Sequence, residues 1–201
     1  NRVAMKEAMI DLSTLDDVLE SLVPNITPPV QATLAQLGRT EDVRFSPDNR
    51  RLALAGYGED TCLLLDIRID ASHPDGAIAI TGFTKLISDD LVEPHGFDFI
   101  DDDTLVVANR KGSVAVFDLS ITSCEQIELE ARHRITRANW MRRIHSPGSV
   151  LVKGPVSGGA EILVCNNYRK RVTAHRIGRD GRISNRVALS LGLDVPDGIA
   201  C

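Results

Sequence analysis

The chain has 201 residues, enough for one sizeable core, with 43% hydrophobic and 25% charged residues, an ordinary balance for a globular protein. Its formal net charge of -5 argues against general nucleic-acid binding, which needs a basic surface. No apolar run reaches the roughly 20 residues that span a bilayer, and no secretory h-region is visible, so the expectation is a soluble protein without a membrane span, cytoplasmic rather than secreted.

Residues 1–29 form a segment of their own. Met5, Met9, Leu12, Leu15, Leu19 and Leu22 recur at helical spacing, and Pro24, Pro28 and Pro29 close the segment as a linker. Residues 30–201 read as one β domain. Val30 to Leu37 is expected to be an isolated strand, and strands continue from Arg39 onward. In the first unit, at about 39–87, Glu41 to Phe45 leads to the turn Ser46-Pro47-Asp48-Asn49. Leu52 to Ala55, Cys62 to Ile67 and Ala77 to Phe83 follow as strands. The second unit, about 92–131, holds Phe97 and Phe99, the turn Asp101-Asp102-Asp103, the run Leu105 to Ala108, then Val114 and Val116. Its outer strand is placed at Gln126 to Ala131. The third, about 146–190, has Val150 to Val152, Ile162 to Asn166, Val172 to Ala174 and Ile183 to Leu189. A further unit opens at 195–201.

Four short strands per unit, at a period of roughly 50 to 58 residues, is the spacing of β-propeller blades. The fold class is therefore all-β, with about three four-stranded blades, a short N-terminal helical segment, and a place within a six-bladed propeller. A propeller needs about four to eight blades to close.

Aligning the units on Leu52, Leu105 and Ile162 brings Pro94, Pro147 and Pro196 into register. The residues beside them are His95, Gly148 and Asp197, with Glu41 matching in the first unit. The innermost strands of a propeller line its channel, so these positions converge at one mouth. Converging carboxylates call for a cation or a proton between them, and hard oxygen donors suit Ca²⁺. The bland alternative is that Glu41 and Asp197 cap loops. Asn109 and Asn166 align at the ends of second strands and are further candidates, Asn109 for substrate and Asn166 for metal. As turn-forming residues they have an equally plain structural use.

Thr40-Glu41-Asp42-Val43 with Pro47-Asp48-Asn49 resembles the acidic pair that opens the paraoxonase propeller. Pro94-His95-Gly96, followed by Phe99 to Asp103 and Leu105 to Asn109, is similar to the segment carrying the catalytic histidine of that family. Gly181 to Arg186 leading to Pro196-Asp197-Gly198 resembles the metal-binding segment of gluconolactonases and regucalcin. The resemblance implies a calcium-dependent, six-bladed hydrolase of small-molecule lactones or esters. It implies Glu41, Asp42 and Asp197 as calcium ligands, with His95 in the pocket as general base. Two positions depart from it. Arg110 stands where paraoxonases have a second histidine and could anchor an anionic substrate, and Gly148 stands where the family has a metal-binding Asn. Those departures support the alternative of a non-enzymatic propeller that binds a partner or serves as a scaffold.

The remaining features point to structure. Cys62 and Cys165 sit in strand patterns and are expected as buried free thiols, and no cysteine pair has metal-ligand spacing. The basic run Ala131 to His145, with the lone Trp140, reads as a solvated inter-blade loop. His73, His133, His145 and His175 have no ligand-like spacing, and Asn25-Ile26-Thr27 is a chance sequon.

Overall fold

The computed structural model describes residues 26–70, 77–120, 125–138, 143–156, 159–189 and 192–199. The helix expected over residues 1–23 lies outside them. Among the described residues, one α-helix, α1 (Pro28–Gln36), precedes thirteen strands. Here the expected strand Val30–Leu37 is corrected to helix. Pro28 and Pro29 occupy the first turn, where the missing N–H groups have no intrahelical partner to lose and φ is already set. Thr33 Oγ1 donates back to the Pro29 carbonyl at 3.0 Å. Val30, Leu34 and Leu37 then fall on one face and pack against Leu63, Leu65, Ile67 and Ile80. That i, i+4, i+7 spacing is the helical signal in the sequence. No described helix is long and apolar enough to cross a membrane.

The strands form three sheets, none closed on itself. The first joins β1 (Thr40–Phe45), β2 (Arg51–Gly56), β3 (Thr61–Asp70) and β4 (Ala77–Ile87) as an antiparallel meander. The second joins β5 (Pro94–Asp101), β6 (Thr104–Asn109), β7 (Val114–Asp118) and β9 (His133–Ile135). The third joins β10 (Pro147–Val156), β11 (Gly159–Asn166), β12 (Arg171–Gly178) and β13 (Ile183–Leu189). The strand β8 (Gln126–Glu128) does not complete the second sheet, as its position in the sequence suggested. It pairs in parallel with Lys85 to Ile87 at the edge of the first sheet, and His133–Ile135 takes the outer place on β7. The segment between β7 and β9 thus laps back over the neighbouring sheet.

The sheets stack face to face through their alternating side chains. Leu105 and Val107 of β6 join a cluster with Ala53, Ala55, Cys62, Leu64 and Phe97 on the side of the first sheet. Val106 and Ala108 join Val114, Val116, Val150, Ile162 and Val164 on the side of the third. The second sheet is therefore buried on both faces, which explains the unbroken apolar run from Leu105 to Ala108. Cys62 and Cys165 are buried free thiols, and burial pushes the Cys62 thiol up to about 12. His175 is fully buried between Thr173 Oγ1 at 2.7 Å and Asn185 Oδ1 at 2.8 Å, and burial holds it below its ordinary pKa.

Asp90 fastens the loop ahead of β5 to the edge of the second sheet. Its Oδ2 accepts from the Ala131 N–H at 2.8 Å and from Arg134 Nη2 at 2.6 Å, and Arg134 Nε meets Oδ1. The Arg134 bond, outweighing burial, holds the Asp90 carboxyl below its ordinary range. A depressed carboxylate contributes stability that is present above its unfolded pKa and lost as pH falls through the folded value. Asp90→Ala is expected to cost about 1–3 kcal/mol by stranding the Ala131 donor. Urea melts across pH 3–7 check this: the wild-type midpoint should fall below pH 4 more steeply than the variant's, and parallel curves would refute it.

Candidate functional site

The first strand of each sheet begins with an irregularity. The ladder slips between Pro94 and Gly96, between Pro147 and Ser149, and between Thr40 and Val43. A residue at such a slip leaves the ladder and its side chain is re-aimed. The residues that slip are His95, Gly148, and the pair Glu41 and Asp42. The positions aligned in the sequence are thus bulge positions. The residues just before the two prolines, Glu93 and Ser146, have φ of 52° and 49°. A non-glycine residue in the left-handed region, and one preceding proline, holds local strain of about 1–3 kcal/mol.

A second repeated contact brings another set of residues to the same place. The residue just after each second strand donates its N–H to the carbonyl just ahead of the sheet's first strand. Tyr57 donates to Arg39 at 3.0 Å, Arg110 to Glu93 at 2.9 Å and Asn167 to Ser146 at 3.1 Å. Their side chains therefore project beside the bulges. Arg110 was a candidate from the sequence; Tyr57 and Asn167 were not.

The cluster is tightly connected. His95 Nδ1 lies 2.6 Å from the Gly148 carbonyl, so Nδ1 carries the proton and donates it there. Its Nε2 accepts from Arg110 Nη2 at 2.9 Å and lies 3.3 Å from Glu41 Oε2. The ring meets Tyr57 edge-on, with centroids 6.3 Å apart. Arg110 Nη2 also donates to Asp197 Oδ1 at 2.6 Å, and Asn167 Nδ2 donates to the same oxygen at 2.7 Å. Burial pushes the Asp197 carboxyl up, but the Asn167 bond and the charge and hydrogen bond of Arg110 prevail, leaving it below its ordinary range. Glu41, His95, Gly148 and Asp197 line one cleft of about 420 Å³, with Asp42 and Arg44 beside them.

Other candidates are engaged elsewhere. Asp42 Oδ1 accepts from the Val43 N–H at 2.9 Å and its Oδ2 from the Phe97 N–H at 3.0 Å, so both oxygens join backbone. Asn109 is fully buried, accepting from Val92 N–H and donating to the Asp90 and Ser113 carbonyls, each at 3.0 Å. Asn166 is fully buried too, bonded to the Val164 carbonyl, Thr173 Oγ1 and the His145 N–H. Neither lines the cleft. The basic run contributes Arg132 and His133 to a different cavity, about 580 Å³, between the second and third sheets, while Trp140 lies outside the described residues.

Among the described residues, no three His, Cys, Asp or Glu side chains are set together as a metal site. The oxygens nonetheless suit a hard cation. Glu41 Oε1 is buried and is held by Arg39 as an ion pair with no hydrogen bond to it. Asn167 Oδ1 is likewise buried without a donor. A Cβ on Gly148 would sit 2.5 Å from Asn167 Oδ1 and 2.6 Å from Asp197 Oδ1, so the Asn167 amide fills the space a side chain at 148 would take.

No protein-family model matches the chain, and no curated protein is similar to it. A solved structure is similar in fold: the crystal structure of a functionally unknown protein from Desulfotomaculum acetoxidans DSM 771. It has a TM-score of 0.53 and 20% sequence identity, and the match covers 74% of this chain and 41% of that one. The chain thus spans about two fifths of that protein's length.

Proposed function

We propose that the chain forms three blades of a β-propeller hydrolase of lactones or esters, with its centre at the cluster around His95 and with calcium held by Glu41 and Asp197. Three stacked, mainly antiparallel sheets, and a similar chain of which the match covers only 41%, support a propeller larger than these sheets. The observation that carries the chemistry is His95 Nδ1 on the Gly148 carbonyl, because it orients Nε2 as the basic nitrogen.

Hydrolysis by this cluster would proceed as follows. His95 Nε2 takes a proton from water as the oxygen attacks the carbonyl carbon. The Arg110 guanidinium, once turned from Nε2, donates to the oxyanion that develops. The C–O bond to the leaving alkoxide then breaks, and the imidazolium returns the proton to it. Asn167 holds Asp197 in place. Glu41 and Asp197 supply carboxylate oxygens for calcium, which when bound polarises the substrate carbonyl as a Lewis acid. Asp42 is left in a bracing role.

A second reading, a non-enzymatic binding module, is favoured by one observation: both ring nitrogens of His95 are already engaged. One experiment separates the two. The full-length protein is assayed on a panel of γ- and δ-lactones and aryl esters, in millimolar calcium and in chelator, alongside calcium calorimetry. Calcium-dependent turnover is expected. No turnover on the panel, together with no calcium binding at millimolar concentration, would leave the binding module as the reading.

A further inference from the structure

The guanidinium of Arg110 lies where a cation would be wanted. It reaches Asp197 Oδ1 at 2.6 Å and His95 Nε2 at 2.9 Å, with Glu41 Oε2 3.3 Å beyond that nitrogen, and its side chain is 18% exposed. It comes from the position that is Tyr57 in the first sheet and Asn167 in the third, so nothing in the repeated architecture demands a charge there. A calcium ion on the same Asp197 oxygen, at the roughly 2.3–2.6 Å such bonds take, would lie no more than about 5 Å from Nη2. Two cations that close in a partly buried site repel strongly.

Yet Arg110 does not satisfy the pocket. Glu41 Oε1 is already paired to the Arg39 guanidinium. Asn167, only 2% exposed and pressed over Gly148 against Asp197, has an oxygen with no donor at all. A buried, unpartnered amide oxygen beside the Asp197 carboxylate points to a harder cation on that side of the pocket.

We infer that Arg110 and a divalent cation are alternative occupants of one anionic pocket, so that Arg110 sets how tightly the protein holds calcium. This rests on the calcium reading above. When the metal enters, the guanidinium leaves Asp197 and releases His95 Nε2, so the same exchange that fills the site frees the base. Arg110 thereby couples occupancy of the site to the competence of His95.

The test is calcium calorimetry on the full-length wild type, Arg110→Gln and Arg110→Lys, with thermal melts of each in calcium and in chelator. Arg110→Gln is expected to bind calcium roughly tenfold or more tightly than wild type, with Arg110→Lys staying near wild type because it keeps the charge. Binding by Arg110→Gln alone also supports the exchange and overturns calcium dependence in the wild type. Equal affinity in wild type and Arg110→Gln overturns this inference while leaving the calcium reading intact. Binding by neither overturns both. Should Arg110→Gln fold poorly, its own melting shift in calcium, compared with that of Arg110→Lys, decides between the same outcomes.

Discussion

Gly96→Ala is expected to destabilise the protein by about 3 kcal/mol, at the upper end of overpacking costs, lowering the urea midpoint without changing the slope. An added Cβ would lie 2.5 Å from the Gly148 carbonyl oxygen and 2.7 Å from Ser149 Cα. Both are backbone atoms of β10, which cannot swing aside as a side chain can. The first strands of the second and third sheets approach at this point, and Gly96 is the residue that allows it. Gly148→Ala makes an instructive contrast, since its Cβ would meet the side chains of Asn167 and Asp197. It should cost less stability and displace the site itself. Chemical denaturation of the two variants checks the ranking; a Gly96→Ala protein within about 0.5 kcal/mol of wild type, the usual range for innocuous substitutions, would refute the close approach.

His95→Gln is expected to lower kcat for lactone or ester hydrolysis by about 10²–10⁴-fold, the usual worth of a positioned general base, with KM little altered. Glutamine can still reach for the Gly148 carbonyl through its amide, so the bulge should persist. What it cannot do is accept a proton near neutral pH. Losing the imidazole contacts costs about 0.5–1.5 kcal/mol of stability, which thermal melts measure separately. Steady-state kinetics at several pH values provides the decisive readout. A variant that keeps wild-type kcat, or loses activity only by unfolding, would remove His95 from the chemistry.

Much of the architecture was legible because the apolar period and the turn residues agree. Leu105 to Ala108 announced a strand, and the recurrence of proline before His95 and Gly148 marked equivalent entry points. What misled were local signals passed over or overridden by context. Val30 to Leu37 is rich in the helix formers Ala, Leu and Gln, and the paired prolines start a helix whose apolar stripe fits the first sheet, signals that the expectation of a strand passed over. Gln126 to Glu128 is extended as expected, yet its partner lies in the preceding sheet, and pairing partners are not encoded by a short strand's own residues. At the cluster, repetition of identity drew attention to Asn109 and Asn166. They repeat because each buried amide tethers the loop ahead of a first strand, a structural task common to two sheets. Tyr57, Arg110 and Asn167 stand one residue further on. They share a backbone bond and no chemistry, so only their different side chains make the site particular, and alignment by likeness passes over two of them.

The neighbouring sheets are joined by side chains where they meet. The Phe97 N–H donates to Asp42 across the first junction, and the Val152 N–H donates to Asp98 at 2.8 Å across the second. Each amide is held across the junction by one carboxylate, whose other oxygen accepts from the N–H of the next residue along its own strand. The consequence is dynamic. Opening a ladder disrupts several cooperative bonds at once, whereas freeing either of these amides asks only that one carboxylate give up its bonds. Hydrogen exchange at Phe97 and Val152 would then report the breathing of one sheet against the next, at rates set apart from the unfolding of any sheet. Since these junctions carry Glu41, His95 and Gly148 on adjoining strands, that breathing also sets how constant the width of the cleft remains.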